Sequence, residues 1–340
     1  MSGKTVVREV KVEEAVGLPL AHDLTQIVPG EFKGRLFKKG HVIREEDIPA
    51  LLRIGKEHVY VLHLAEDDLH EDDAALRMAK AAAGTNVRLT EPSEGKVMLK
   101  AAVPGLAKIA KSFVDEVNAI ESIALATLPD NTPVRPDQSL AGTRAIPLFV
   151  PASTVERVER LAERWSDANG GERPIRVKPY RRLRVGVVTT GGEVYKGLVE
   201  DKFGPVVKAK VEQFGSTVIG QRICPDDTER IVEAIRHFVD EGADMILVTG
   251  GMSVDPDDRT PGAIRAAGAR VVSQGTPMLP GSMLMVAYLG EIPVLGLPGS
   301  VMHDKYTAFD VLLPRICAGE TIERSDITAM GYGGLFAGRA

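Results

Sequence analysis

The chain has 340 residues, 44% of them hydrophobic and 26% charged, with a formal net charge of −5. That length predicts two or three domains, and the charge balance supplies no broad basic field, so neither nucleic acid nor an anionic membrane is expected as a partner. No apolar leader opens the sequence and no apolar run is long enough to span a bilayer, which predicts a cytoplasmic protein.

Residues 1–64 read as a small α+β module. Val7, Val10 and Val12 alternate, a glycine-stopped turn ends at Gly17, and Asp47 opens a short helix that carries Leu51, Leu52 and Ile54. A strand follows at 58–62. His41, His58 and His63 are scattered and predict no metal site. Residues 65–176 read as a mixed α/β region. Its acidic start, 65–71, predicts a solvated helix opening, and an Ala-rich helix spans 74–83. Strands are expected at 87–89, 95–101 and 146–150, a helix at 109–120, a turn-rich stretch with three prolines at 124–143, and an amphipathic helix at 155–165. Asn169-Gly170-Gly171-Glu172-Arg173-Pro174 is the linker candidate. Cys224 and Cys317 lie in apolar surroundings without C-x-x-C spacing, which argues for buried thiols rather than zinc ligands or a disulfide.

Residues 177–317 alternate short β-branched strands with helical stretches, the pattern of an open α/β sheet. Helices are expected at 203–214, 228–239 and 303–313. Three apolar runs each end in a glycine-bearing loop: Thr189-Thr190-Gly191-Gly192-Glu193, Thr249-Gly250-Gly251-Met252-Ser253 and Gly296-Leu297-Pro298-Gly299-Ser300. Open α/β sheets bind ligands at the carboxyl ends of their strands, so the three loops are expected along one rim. Glycine lets successive main-chain N–H groups face an anion, and a helix starting beyond such a loop adds its positive end. The inference is a site for a phosphorylated ligand. Most acids near the loops also have a structural alternative, though Glu193 after its glycine pair is harder to explain structurally. Asp226 or Asp227 can cap the helix at Thr228, Asp255, Asp257 and Asp258 can form a solvated turn, and Ser300 can cap the last helix.

The loops resemble those of the molybdopterin-binding family of molybdenum-cofactor biosynthesis proteins, in particular the MoeA-type molybdenumtransferases and their gephyrin relatives. Thr190-Gly191-Gly192-Glu193-Val194 stands against the family's Thr-Gly-Asp-Glu-Leu, Asp226-Asp227 against its Asp-Asp loop, Gly250-Gly251-Met252-Ser253-Val254 with a later Asp258 against its Gly-Gly-Val-Ser-Val, and Gly296-Leu297-Pro298-Gly299 against its Gly-Leu-Pro-Gly. The resemblance implies a three-layer MogA-like α/β domain that binds molybdopterin or its adenylylated form, with Mg²⁺ and molybdate taking part. It assigns Glu193, Asp227 and Asp258 as catalytic acids, with Asp227 and Asp258 on the metal. Thr190, Gly191, Gly192, Gly250, Gly251, Ser253, Pro298, Gly299 and Ser300 would cradle pterin and phosphate. A homo-oligomer, dimer or trimer, is implied as well.

The departures matter as much. Where the family has Lys-Pro-Gly-Lys this chain has Leu279-Pro280-Gly281-Ser282, and Asp201-Lys202-Phe203 and Gly299-Ser300-Val301 replace its Asp-x-Asn and Gly-Asn-Pro. The lysines suited to an oxyanion are missing, with Lys196, Lys202, Arg259 and Lys305 as candidate substitutes. The family's C-terminal β-barrel has no counterpart, and 318–340 is expected as a mobile Gly-rich tail. A cofactor-binding protein that inserts molybdate with AMP release, a non-catalytic carrier or sensor, and a Mg²⁺-dependent nucleotidyltransferase or pyrophosphatase all remain open. A Walker loop and a Rossmann fingerprint are absent.

Overall fold

The computed structural model describes residues 6–28, 32–63, 67–252 and 259–335. The chain divides into two compact units, one of residues 1–102, 109–130 and 137–176, the other of residues 103–108, 131–136 and 177–340.

In the first unit, Val6–Lys11 pairs antiparallel with His58–His63, and Leu24–Val28 with Phe32–Phe37. Val12, Leu20, Ile43, Leu51 and Val61 form the core beneath them. A separate antiparallel sheet runs in the order Val87–Leu89, Lys96–Ala101, Ser139–Ala145, Ile123–Thr127. The helix Glu71–Ala82 lies against it and packs on Ala152–Ala168, which buries Val155, Val158 and Ala162. Two expectations are corrected. The acidic start is a strand, Asp68–His70, paired with Phe149–Pro151, and the helix begins only at Glu71, where the His70 ring accepts from the Asp72 N–H. The stretch expected to be turn-rich holds three strands, Ile123–Thr127, Ser139–Ala145 and, in the second unit, Thr132–Val134, in which alanine, leucine and proline interrupt any β-branched run.

The second unit is a three-layer α/β domain. Its six-stranded sheet is built of β1 (Arg184–Thr190), β2 (Thr217–Cys224), β3 (Met245–Thr249), β4 (Arg270–Gln274), β5 (Met285–Leu289) and β6 (Ile292–Leu297), ordered β2-β1-β3-β6-β5-β4. The first four in that order are parallel, β5 runs antiparallel to β6, and β4 runs antiparallel to β5. Successive side chains of a strand point to opposite faces. Accordingly Met245, Leu247, Leu295 and Leu297 join a cluster with Val207, Val211, Phe309 and Leu312 from the helices Phe203–Glu212 and Ala308–Cys317. Ile246, Val248 and Val294 join the opposite cluster with Ile231, Ile235, Phe238 and Ile264 from Thr228–Asp240 and Thr260–Ala266. Strands buried on both faces read as continuous apolar runs, which is why β1, β3 and β6 stand out in the sequence.

Residues 318–340 depart from the expected mobile tail as far as residue 335. Ile322 and Ile327 are buried in the same cluster as Phe309, and Arg324–Ala329 is a helix opened by a reciprocal cap between Glu323 and Asp326. Arg315 reaches Glu320 and Asp326 at 2.8 Å each, and Lys108 meets Glu320 at 2.8 Å. The expected closing helix 303–313 is in fact two, Ser300–His303 and Ala308–Cys317. No helix among the described residues is long and apolar enough to cross a membrane.

Candidate functional site

The parallel register fixes where the loops go. Thr189 of β1 lies beside Thr249 of β3, and Thr249 beside Leu297 of β6, so the three glycine-bearing loops leave the sheet at the same level. Cys224 of β2 lies beside Thr190, which brings Asp226 and Asp227 onto the same rim. β5 is antiparallel to β6, with Met285 opposite Gly296, so the segment leading into β5 also arrives there. The strand after β1 in sequence is added on one side of it and β3 on the other. That reversal places a crevice between β1 and β3, where such sheets take their ligands.

Polar side chains tie the rim together. The Thr249 hydroxyl donates to Thr189 Oγ1 at 3.2 Å, and the Gln221 amide donates to Thr189 Oγ1 at 2.8 Å and to Asp201 Oδ2 at 2.5 Å. Asp201 also accepts from the N–H groups of Phe203 and Gly204. On the other face Thr260 donates to the Gly250 carbonyl at 2.8 Å and lies 3.4 Å from Thr190 Oγ1. Gly250 has φ of +87°, and a Cβ there would sit 2.3 Å from the Thr190 carbonyl oxygen, so the approach of the two loops needs glycine. This threonine and Gln221 layer escaped the sequence reading because nothing local marks a hydroxyl as facing a neighbouring strand.

The expected site residues fall into two groups. Gly250, Gly251, Pro298, Gly299 and Ser300 line a cleft of about 590 Å³ together with Phe203, Met252 and the segment Leu279–Met283. Its described lining carries no charged side chain, so Lys196, Lys202, Arg259 and Lys305 do not replace the missing lysines within it. Ser300 does not cap the last helix. Thr307 does, reciprocally with Asp310, and the Ser300 hydroxyl is left buried with no hydrogen-bond partner. A buried hydroxyl in that state is uncommon.

The second group lies at the β1 and β2 ends. The Gly191 N–H donates to the Cys224 carbonyl at 3.2 Å and the Gly192 N–H to Asp226 Oδ2 at 2.8 Å. Two of the amides expected to face a phosphate are therefore bonded within the chain. Asp227 takes the capping alternative: its Oδ1 accepts from the Arg230 N–H at 3.0 Å. Glu193 is exposed in the short helix Gly192–Tyr195. Ser253 and Asp258 lie outside the described residues. Among the described residues no group of three acids, histidines or cysteines gathers as a cation site. Both cysteines are buried free thiols, and burial pushes the Cys317 thiol up to about 11 against the opposing hydrogen bond with Ser216.

Residues 186–318 match the family described as "Probable molybdopterin binding domain", and residues 9–63 match a family described only as a domain of unknown function. Molybdopterin molybdenumtransferase of Staphylococcus epidermidis is 28% identical over 143 residues, 40% of this chain and 34% of that protein. The enzyme of the same name from Synechococcus elongatus is 26% identical over 167 residues, 46% of this chain and 40% of that protein. Each match thus spans well under half the length of the curated relative. A solved structure of the molybdopterin biosynthesis enzyme MoaB from Thermus thermophilus covers 41% of this chain and 98% of its own, at 24% identity and a TM-score of 0.35. The family match is confined to residues 186–318, within the α/β unit that carries the glycine-bearing loops.

Proposed function

We propose that the second unit binds molybdopterin or its adenylylated form, with the heterocycle in the uncharged cleft and the phosphate end toward the loops at the ends of β1 and β2. The observation that carries this is the buried, unpartnered Ser300 hydroxyl in a cleft walled by two of the glycine loops. A heterocycle rich in donors and acceptors would supply the missing partner. Mg²⁺ is ordinarily held by one or two carboxylates together with ligand phosphates, which asks for no three-acid cluster. Asp227 and Asp258 are its proposed ligands and Glu193 a third acid at that end. Asp227 spends one oxygen on the helix cap, and a carboxylate has a second to offer. A bound cation would neutralise charge on the phosphates.

The uncharged wall Leu279–Met283 favours holding the cofactor over inserting metal into it, because an oxyanion such as molybdate needs cationic or multiple N–H donors to leave water. We therefore rank a carrier or sensor above a molybdenumtransferase. Mass spectrometry of protein gently purified from cells making molybdopterin should find the pterin retained. Incubation of the adenylylated pterin with Mg²⁺ and molybdate should release no AMP. Absence of any retained pterin would remove the binding assignment, and molybdate-dependent AMP would restore the transferase.

A further inference from the structure

The cleft wall Leu279–Met283 is held in place from several sides. The Ala308 N–H donates to the Pro280 carbonyl at 3.3 Å, and Thr276 Oγ1 donates to the Gly281 carbonyl at 3.0 Å. The remaining support comes from the far end of the described chain. The Leu279 N–H donates to the Gly334 carbonyl at 2.8 Å, and Leu279 and Leu335 form a parallel β-bridge. This contact requires close approach: a Cβ on Gly334 would lie 2.4 Å from the Pro277 carbonyl oxygen and 2.5 Å from that of Met330. The segment is anchored just upstream by Ile327, 1% exposed, and by the Arg315 to Asp326 ion pair.

Residues paired in a bridge project to the same face. Leu279 is 55% exposed and Leu335 77% exposed, so two bridge-paired apolar residues stand in water, and Leu279 lines the uncharged cleft. Exposed apolar pairs at such a place gain free energy when a ligand covers them. We propose that Gly331–Leu335 is part of the ligand site: its main chain positions the Leu279–Met283 wall, and Leu335 with Leu279 forms an apolar lip over the bound heterocycle. Leu335 is thereby a specificity-determining residue, and Gly334 a positioning one. The inference rests on the reading of the cleft as a pterin site.

Full-length Leu335→Asn, Leu335→Met and Gly334→Val separate the possibilities, with molybdopterin freed from a molybdoenzyme as the anaerobic probe and its fluorescence as the signal. Leu335→Asn should weaken binding about tenfold, the loss expected when one apolar side-chain contact is replaced by a polar one. Leu335→Met should stay within about twofold, since volume and polarity are kept. Both should melt like the parent protein. Gly334→Val should weaken binding and speed hydrogen exchange at the Leu279 amide in the ligand-free protein. Parental affinity in Leu335→Asn, or unchanged exchange at Leu279 in Gly334→Val, would overturn the proposal. Failure of the parent protein to bind the pterin would instead overturn the pterin reading, with the exchange result still deciding whether the segment holds the wall.

Discussion

The main-chain nitrogen of Gly192 donates to the Asp226 carboxylate at 2.8 Å, joining the loop after β1 to the loop after β2. A carboxylate of the chain itself thus occupies an amide that an incoming phosphate would use. Replacing Asp226 by Ala frees that N–H and removes a like charge. Affinity for molybdopterin measured by fluorescence without divalent cations should therefore rise about fivefold, within the range of a charge-assisted hydrogen bond. With Mg²⁺ present the gain should vanish, because the carboxylates then attract the bound cation. An unchanged affinity under both conditions would show that the phosphate does not approach this amide.

Ser300 offers an experiment in which stability and binding move in opposite directions. Its buried hydroxyl has no partner, so Ser300→Ala removes an unsatisfied group and should raise unfolding free energy in urea by about 1 kcal/mol. Pterin affinity should fall about tenfold, the worth of one hydrogen bond from a desolvated group. A variant that is both less stable and equally tight would contradict the assignment.

Asp227 carries two roles that can be told apart. The Arg230 N–H bond makes it the N-cap of Thr228–Asp240, and Asp227→Ala should cost about 1 kcal/mol of stability. Asp227→Ser restores the cap without the charge. If its melting temperature matches the parent while the Mg²⁺ dependence of pterin binding is lost, the carboxylate serves the cation as well. Retained Mg²⁺ dependence would leave it a cap alone.

Glu320 should contribute to the acid limb of stability. Burial raises its pKa, but hydrogen bonds from Lys108 and Arg315 outweigh that and hold the carboxyl below its ordinary value. A lowered folded-state pKa contributes stability above the unfolded value, and that stability is lost as pH falls through the folded value. Glu320→Gln should cost about 2–3 kcal/mol at neutral pH, as when one partner of a poorly hydrated ion pair is removed. Its melting temperature should fall less steeply than the parent's as pH drops below the ordinary glutamate range. Parallel acid limbs in the two proteins would show that Glu320 does not set this dependence.

The rim was legible because three physical signals coincide there: apolar runs buried on both faces, glycine at each strand end, and acids beside them. The division of labour within the rim was not. Asp226 and Asp227 are chemically identical neighbours, and only the backbone direction decides that one meets Gly192 while the other caps a helix. The order around residues 318–335 was hidden for a different reason: Ile322 and Ile327 are isolated apolar residues among glycines and charges, and their burial depends on a surface built by distant strands. The strands of 123–145 were obscured because small residues give weak alternation.

The hairpin of β5 and β6 turns at Gly290 and Glu291, on the edge of the sheet remote from the rim. Met285 and Gly296 are paired at the other end, so Leu279–Met283 and Pro298–Ser300 join the sheet at two hydrogen-bonded neighbours. The spacing at that junction is a built-in gauge, fixed by one antiparallel pair. A fluorophore spliced into the Gly290-Glu291 bend would leave that gauge untouched and ride on the same rigid frame.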